Sequence, residues 1–431
     1  SQTQPKDQQD TQKEKRMEWF ANAKLGIFIH WGIYSVKGVS ESWSFFNKYL
    51  PYEEYMSQKD GFTASKYDPK AWVDLIKESG ARYTVITTKH HDGMALWDTK
   101  AGELSTVKCT PAKRDLISPF VKEVRKQGLK LGFYYSLLDW SHPDYPNMTR
   151  TEVRYKDDSV RWQRFVDFNM AQLSELNKTW KPDLYWFDGD WEQTAEAWNS
   201  KGIVDLLRSD NKNVIINSRI QGYGDYATPE QGVPIVRPED KYWELCMTMN
   251  DSWGYQHTDT NYKSPFILLR TFVDCLSMGG NLLLDIGPKE DGTIPEEQVA
   301  ILKVKFFPIL AVFILITNMI PYFGPFIGGF PAVLVALMTG DLFHALAVLV
   351  FVFALQQFDG LFLGPKILGD VVGISPFWVL LSITVFGHFF GFIGMFLGVP
   401  MICVIRMLFN DIIDFLSLVF LNDNLICQLC S

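Results

Sequence analysis

Along residues 25–303, short apolar, β-branched runs alternate with stretches of helical periodicity. The runs fall at Leu25–Gly32, Tyr83–His91, Leu129–Ser136, Asp183–Asp190, Asn213–Arg219, Tyr242–Met249 and Asn281–Gly287. Helical periods separate them at Pro69–Ser79, Leu116–Gln127, Ser159–Trp180, Ile203–Arg208 and Pro265–Met278. Asp68 before Pro69 and Ser264 before Pro265 supply N-caps followed by proline at the first helical position. Runs that are apolar on both faces predict a parallel sheet covered by helices. Two α/β architectures fit this order, a (β/α)8 TIM barrel and an open doubly wound sheet. The doubly wound fold concentrates chemistry at one switch point, usually beside a glycine-rich phosphate loop. No GxGxxG or Walker sequence occurs. Instead, polar residues mark nearly every run: His30, His90-His91-Asp92, Tyr134-Tyr135-Ser136, Asp188-Gly189-Asp190, Asn217-Ser218-Arg219 and Glu244. Chemistry drawn from many strands is the barrel pattern.

Beyond Lys303 the pattern changes. Apolar stretches run over Phe306–Phe330, Leu342–Phe358 and Phe377–Val399, with a fourth, Met401–Leu421, interrupted by Arg406, Asp411 and Asp414. A bilayer span needs roughly 20 apolar residues, so this part reads as all-α and transmembrane. The run from Ile320 to Gly329 holds two prolines and three glycines, which predicts a kink or re-entrant hairpin. Charge confirms the division. Of 41 Lys+Arg and 49 Asp+Glu in the chain, residues 304–431 hold only Lys305, Lys366, Arg406, Asp341, Asp359, Asp370, Asp411, Asp414 and Asp423. A buried soluble core of that size could hardly be clothed by so few charges. The predicted organisation is a disordered polar leader over 1–15, a C-terminally truncated catalytic barrel over 16–303 and a transmembrane region over 304–431.

Composition narrows the function. A net charge of −8 without a basic stripe argues against nucleic acid as partner. The 6 cysteines are scattered, and Cys427-x-x-Cys430 has no second pair beside it, so no disulfide framework is implied. The leader is polar and lacks an apolar signal segment. Leaders of this kind often remain after signal removal, which would place the barrel in the periplasm or outside the cell.

The chemistry centres on Asp188, which closes the run Asp-Leu-Tyr-Trp-Phe-Asp-Gly-Asp-Trp over residues 183–191. A carboxylate at a strand terminus among Trp186, Phe187 and Trp191 is placed to meet a sugar, whose C–H faces stack on aromatic rings. The alternative is that Asp188 or Asp190 caps the next helix. Glycoside hydrolysis needs a second carboxyl group. Residues 237–246 offer Glu239, Asp240 and Glu244, which spacing cannot rank. His30, His90 and His91 suit hydroxyl recognition better than a metal. Neighbours on a strand point to opposite faces, and no HExxH or cysteine cluster accompanies them. One of the adjacent pair also fits a core histidine. Arg219 is either a substrate clamp or the partner of a barrel carboxylate.

These residues resemble the α-L-fucosidases of glycoside hydrolase family 29. The resemblance covers nearly all of residues 16–303. It rests on Met17-Glu18-Trp19-Phe20, Lys24 to Gly32, Lys89-His90-His91-Asp92-Gly93, Tyr134-Tyr135-Ser136, Trp186 to Trp191, Trp243 to Cys246, Asn250 to Tyr255 and Gly279 to Pro288. It implies a retaining exo-hydrolase that releases terminal α-L-fucose from glycans through a covalent fucosyl-enzyme, with no metal or cofactor. Asp188 matches the nucleophile. Glu244 is the acid/base by the same resemblance, with Glu239 and Asp240 as alternates. His30, His90, His91, Tyr135 and Arg219 match fucose-contacting positions, Trp43 and Trp253 wall positions, and Glu41 a hydroxyl ligand. Family members complete the helix begun at Ile294 and then add a β-sandwich, so the switch at Lys303 puts activity in question.

The C-terminal part resembles the last third of the autoinducer-2 exporter (PerM-like) membrane proteins. The carrying residues are Asn318 to Pro325, Gln356 to Gly360, Gly364 to Gly369 and Gly391-Phe392-Ile393-Gly394 with Gly398-Val399-Pro400. It implies a bilayer as partner. Asp359 and Lys366 fall in a loop or line a polar pathway. Three accounts follow: a membrane-tethered fucosidase, a transport-protein fragment bearing a carbohydrate-recognising domain, and an artificial joining of two reading frames.

Overall fold

A computed structural model of the chain describes residues 6–236 and 238–303 and, beyond them, helical residues 384–391 and a few others between 346 and 405. The chain forms two compact units, Ser1–Ala311 and Val312–Ser431. The predicted membrane segments over 304–431 lie for the most part outside the described residues. Among the described residues no helix is long and apolar enough to cross a membrane.

In the first unit, seven parallel strands form one sheet: β1 (Leu25–Ile29), β2 (Tyr83–Lys89), β3 (Lys130–Ser136), β4 (Leu184–Asp188), β5 (Ile215–Ile216), β6 (Glu244–Thr248) and β7 (Asn281–Ile286). Their spatial order is β5-β4-β3-β2-β1-β7-β6. Each falls within one of the predicted runs. Residues 225–231 lie between the two edges and close the ring without forming a regular strand. On one side Asp225 N donates to Ile216 O and Ser218 N to Tyr226 O; on the other Glu244 N donates to Ala227 O and Cys246 N to Pro229 O. Pro229 offers no N–H, which keeps the ladder irregular. The eighth stave of the barrel is therefore this segment, consistent with a (β/α)8-type fold.

Helices cover the outside: α1 (Lys6–Ala23), α2 (Pro69–Glu78), α3 (Ile117–Lys126), α4 (Ser159–Trp180), α5 (Ser200–Asp210), α6 (Pro265–Ser277) and α7 (Glu296–Leu302). The two expected caps are present, Asp68 accepting from Ala71 N at 3.1 Å and Ser264 from Ile267 N at 3.3 Å. The leader differs from expectation. Composition predicts disorder over 1–15, whereas α1 begins at Lys6. Its Lys, Gln and Glu residues are good helix formers, and tertiary contacts hold it: Glu14 pairs with Lys241 at 2.5 Å and Arg16 with Asp225 at 2.7 Å. Met17 and Phe20 then enter the barrel core beside Tyr83 and Tyr226, plugging the end where the strands begin. That leaves the strands' C-terminal end for chemistry.

Candidate active site

At that end lies a cavity of about 350 Å³, lined by residues from around the barrel that include His30, His90, Tyr134, Asp188, Arg219 and Glu230. This is at the small end of ligand pockets. Pleat alternation decides who reaches it. On β4, Leu184 and Trp186 face the core, so Asp188, two residues further, faces the cavity. Its Oδ1 accepts from Arg219 Nη1 at 2.9 Å and its Oδ2 from Tyr134 Oη at 3.0 Å, with His91 Nε2 3.6 Å away. Asp188 is thus held by three side chains and caps no helix through this carboxylate. The capping alternative does not apply to it.

The same alternation corrects the expectation for Tyr135. Its neighbour Tyr134 faces inward, and Tyr135 points outward against α4. There its Oη lies 2.8 Å from Asn169 Oδ1 and 3.0 Å from the buried Lys89 Nζ. Tyr134 is the pocket tyrosine, a residue whose role the sequence left unassigned. Strict alternation fails at the adjacent histidines. The β2–β3 register shifts between Thr87 and Lys89, and the strand ends at Lys89. Both rings then turn to the same region, 4.3 Å apart, His90 onto the cavity and His91 onto Asp188.

Each histidine commits Nδ1 to a neighbour: His30 to Asp285 at 2.6 Å, His90 to Ser42 at 2.6 Å and His91 to Ser136 at 2.5 Å. Burial pushes all three below the usual imidazole range, His91 to about 3, so the rings are neutral at pH 7. Burial likewise pushes the Asp285 carboxyl well above the usual carboxylate range. Trp43, Trp253 and Glu41 all line the cavity. Glu41 is buried, accepts from Gly254 N at 2.6 Å, and burial pushes it up to about 7.

The second carboxylate is not where the sequence reading puts it. Glu244 is the first residue of β6, at the strand-start end of the barrel. It is fully buried beneath Trp186, accepting from Trp186 Nε1 at 3.0 Å and bonded to Tyr83 Oη. It does not line the cavity. Glu239 and Asp240 are exposed and do not line it either. The cavity's second carboxylate near Asp188 is Glu230, on the closing segment. Its Oε1 lies 3.1 Å from Arg219 Nη2, while Nη1 of the same guanidinium holds Asp188. Sharing one fork limits the separation of the two carboxylates to at most about 8 Å, a bound that admits both the roughly 5–5.5 Å of retaining pairs and the lower part of the roughly 6.5–9.5 Å of inverting ones. Arg219 is fixed in turn by Thr228 Oγ1 at 3.0 Å and by the Trp186 face, 4.5 Å from its guanidinium carbon. Arg219 thus lines the cavity and pairs with a barrel carboxylate. Among the described residues no group of three or more His, Cys, Asp or Glu is arranged to hold a metal ion.

Glu244 makes a stability prediction. Burial raises its folded pKa from 4.5 to about 7. Below 4.5 both folded and unfolded chains hold the proton. Between 4.5 and about 7 only the folded chain does, so stability falls as pH rises through that window. Gln mimics the protonated acid, donating to Tyr83 and accepting from Trp186. Glu244→Gln should flatten the slope, gaining up to about 3 kcal/mol over the parent above pH 7. Thermal midpoints at pH 5 and pH 8, followed by fluorescence, check this.

The sequence matches the alpha-L-fucosidase family model over residues 1–304 and the AI-2E family transporter model over residues 299–414. Tissue alpha-L-fucosidase of Bos taurus is 33% identical over 306 residues, covering 64% of this chain and 63% of that one. The Homo sapiens protein is also 33% identical over 306 residues, covering 64% of each. The chain thus spans somewhat under two thirds of these relatives' length. Among solved structures, alpha-L-fucosidase isoenzyme 1 from Paenibacillus thiaminolyticus superposes with a TM-score of 0.64 at 35% identity, covering 68% of this chain and 75% of that one. Alpha-L-fucosidase AlfC from Lactobacillus casei, in complex with α-L-fucose product, gives 0.59 at 30% identity, covering 68% of this chain and 98% of that one. Over residues 1–304 the chain belongs to the alpha-L-fucosidase family.

Proposed function

We propose that this chain is a retaining exo-α-L-fucosidase in which Asp188 is the nucleophile and Glu230 the acid/base. The observation that carries the reading is the Arg219 fork, which holds both carboxylates at one small cavity. In the first step an Asp188 oxygen attacks the anomeric carbon of fucose. Glu230 gives its proton to the glycosidic oxygen, and the aglycone leaves as an alcohol. In the second step Glu230 takes a proton from water, whose oxygen attacks the same carbon and frees fucose and Asp188. Neutral His30 and His90 present Nε2 to the sugar hydroxyls, able to donate or accept. Tyr134 and Arg219 hold the Asp188 carboxyl aimed at the anomeric carbon. A Bacteroides thetaiotaomicron alpha-L-fucosidase, 30% identical, has been trapped as a covalent intermediate with 2-fluoro-fucosyl fluoride, which supports the two-step reading.

The resemblance raised the loss of a β-sandwich as a threat to activity. The AlfC match runs over 98% of that chain while covering 68% of this one, so the barrel part here corresponds to nearly all of a solved fucosidase. That supports a barrel competent by itself. The fucosidase match over residues 1–304 favours fucosylated glycans as substrate of the barrel, and the AI-2E match over residues 299–414 favours membrane association of the C-terminal part. It equally suits the transport-fragment reading, in which the barrel only recognises carbohydrate. Release of 4-nitrophenol from its α-L-fucoside by detergent-solubilised, folded full-length chain separates them. Turnover supports the enzyme; binding of fucose without turnover supports recognition alone.

Pleat alternation gives a paired prediction. Tyr134→Phe removes one hydrogen bond to Asp188 and should cost about tenfold in kcat/KM on that substrate. Tyr135→Phe leaves buried Lys89 and Asn169 short of a partner, and should lower stability by about 1–3 kcal/mol while KM stays near the parent value. Kinetics and melting curves on both variants test it.

A further inference from the structure

The cavity has a closed end and an open end. Phe28, His30, Glu41, His90, Tyr134 and Trp186 are buried, whereas the most exposed lining residues are Glu230, whose side chain is 45% exposed, and Trp191, at 48%. A fucose unit whose anomeric carbon meets Asp188 therefore fills the closed end. The group attached to it leaves past Glu230, since that residue must touch the glycosidic oxygen. Trp191 flanks the same exit.

Trp191 is exposed but not loose. It sits in the short turn Asp190–Glu192 that follows Gly189, whose φ of +82° bends the chain sharply after β4. Both neighbours are tied down. Asp190 accepts from Gln221 N at 3.0 Å, and Glu192 accepts from Trp140 Nε1 at 3.2 Å, Tyr145 Oη at 2.6 Å and Asn147 Nδ2 at 2.7 Å. The indole stacks nearly parallel on Trp43, with centroids 5.9 Å apart and planes at 16°. One face is thus supported from behind, leaving the other to solvent at the mouth. A large apolar ring held rigid in water has a cost that a docking surface explains, and a preorganised ring loses little entropy when it is covered.

We infer that Trp191 is an aglycone platform, a second sugar subsite that stacks on the hexopyranose directly attached to the fucose and so selects fucosylated saccharides over simple fucosides. This rests on the fucosidase reading above. The test compares two substrates that depend equally on the acid, methyl α-L-fucoside and a set of α-L-fucosyl-hexopyranose disaccharides of each linkage. Wild type should prefer its best disaccharide over the methyl fucoside by about tenfold in kcat/KM. Trp191→Ala should reduce that ratio about tenfold, and Trp191→Phe should keep most of it. Glu230→Gln should lower both substrates together and leave the ratio alone. A ratio unmoved by Trp191→Ala overturns the platform, whether both rates fall together or neither does. A wild type that cleaves neither substrate removes the fucosidase reading itself, and that failure is distinct from the first.

Discussion

Replacing Asp188 by Ala should abolish release of 4-nitrophenol from its α-L-fucoside, by about a thousandfold or more. The size follows from what the side chain does. In this cavity Asp188 accepts from Arg219 and Tyr134 and faces His91, so its oxygens are fixed in direction before any sugar arrives. Alanine removes the attacking atom and leaves the Arg219 fork half empty. Because Glu230 still holds Nη2, and Thr228 holds Nε, the cavity wall should stay in place. The loss should accordingly fall on kcat, with KM little changed, in steady-state kinetics on folded protein. A variant retaining a tenth of parental activity would mean that Asp188 is not the nucleophile.

The second large effect concerns the proton donor. Glu230→Gln should slow cleavage of a fucosyl disaccharide by about 10²–10⁴-fold, the usual contribution of general acid catalysis. The same change should slow α-L-fucosyl fluoride by less than about tenfold in the first step, because fluoride leaves without a proton. Glu244→Gln provides the contrast. Its carboxyl is buried under Trp186 at the far end of the barrel, so the variant should hydrolyse both substrates at close to parental rates. Rates of both variants on both substrates decide between the two glutamates in one experiment. If Glu244→Gln alone showed the leaving-group dependence, the site assignment made here would be wrong.

Much of this architecture could be read from the chain, for physical reasons that also explain the gaps. A strand apolar on both faces is conspicuous, and seven such runs became seven strands. Asp188 was legible because an aspartate in an aromatic strand end is rarely accidental. The eighth stave was hidden. Residues 225–231, Asp-Tyr-Ala-Thr-Pro-Glu-Gln, have neither a β-branched run nor an apolar period, and Pro229 breaks the ladder. Glu230 was missed along with its strand. A signal did exist: the stretch between Arg219 and Tyr242 is long for a structureless loop in a compact barrel, and an eight-strand ring was one strand short. Glu244 misled for a related reason. It opens its run rather than closing it, and in these barrels the start of a strand serves stability while the end serves chemistry. Tyr135 shows the reach of a single-residue register choice, since Tyr134 and Tyr135 are chemically equal and only the pleat separates them. His90 and His91 show its limit, because the register shift before them cancels the alternation.

Fucose should become covalently attached to Asp188 across the cavity shared with Glu230. The most direct measurement is peptide mapping of the full-length protein by mass spectrometry after incubation with 2-deoxy-2-fluoro-α-L-fucosyl fluoride. A single fluorofucosyl group is expected, carried by the peptide containing residues 183–191 and localised to Asp188. Label on another carboxylate, or an active enzyme that takes up no label and releases fucose with inverted configuration, would contradict it.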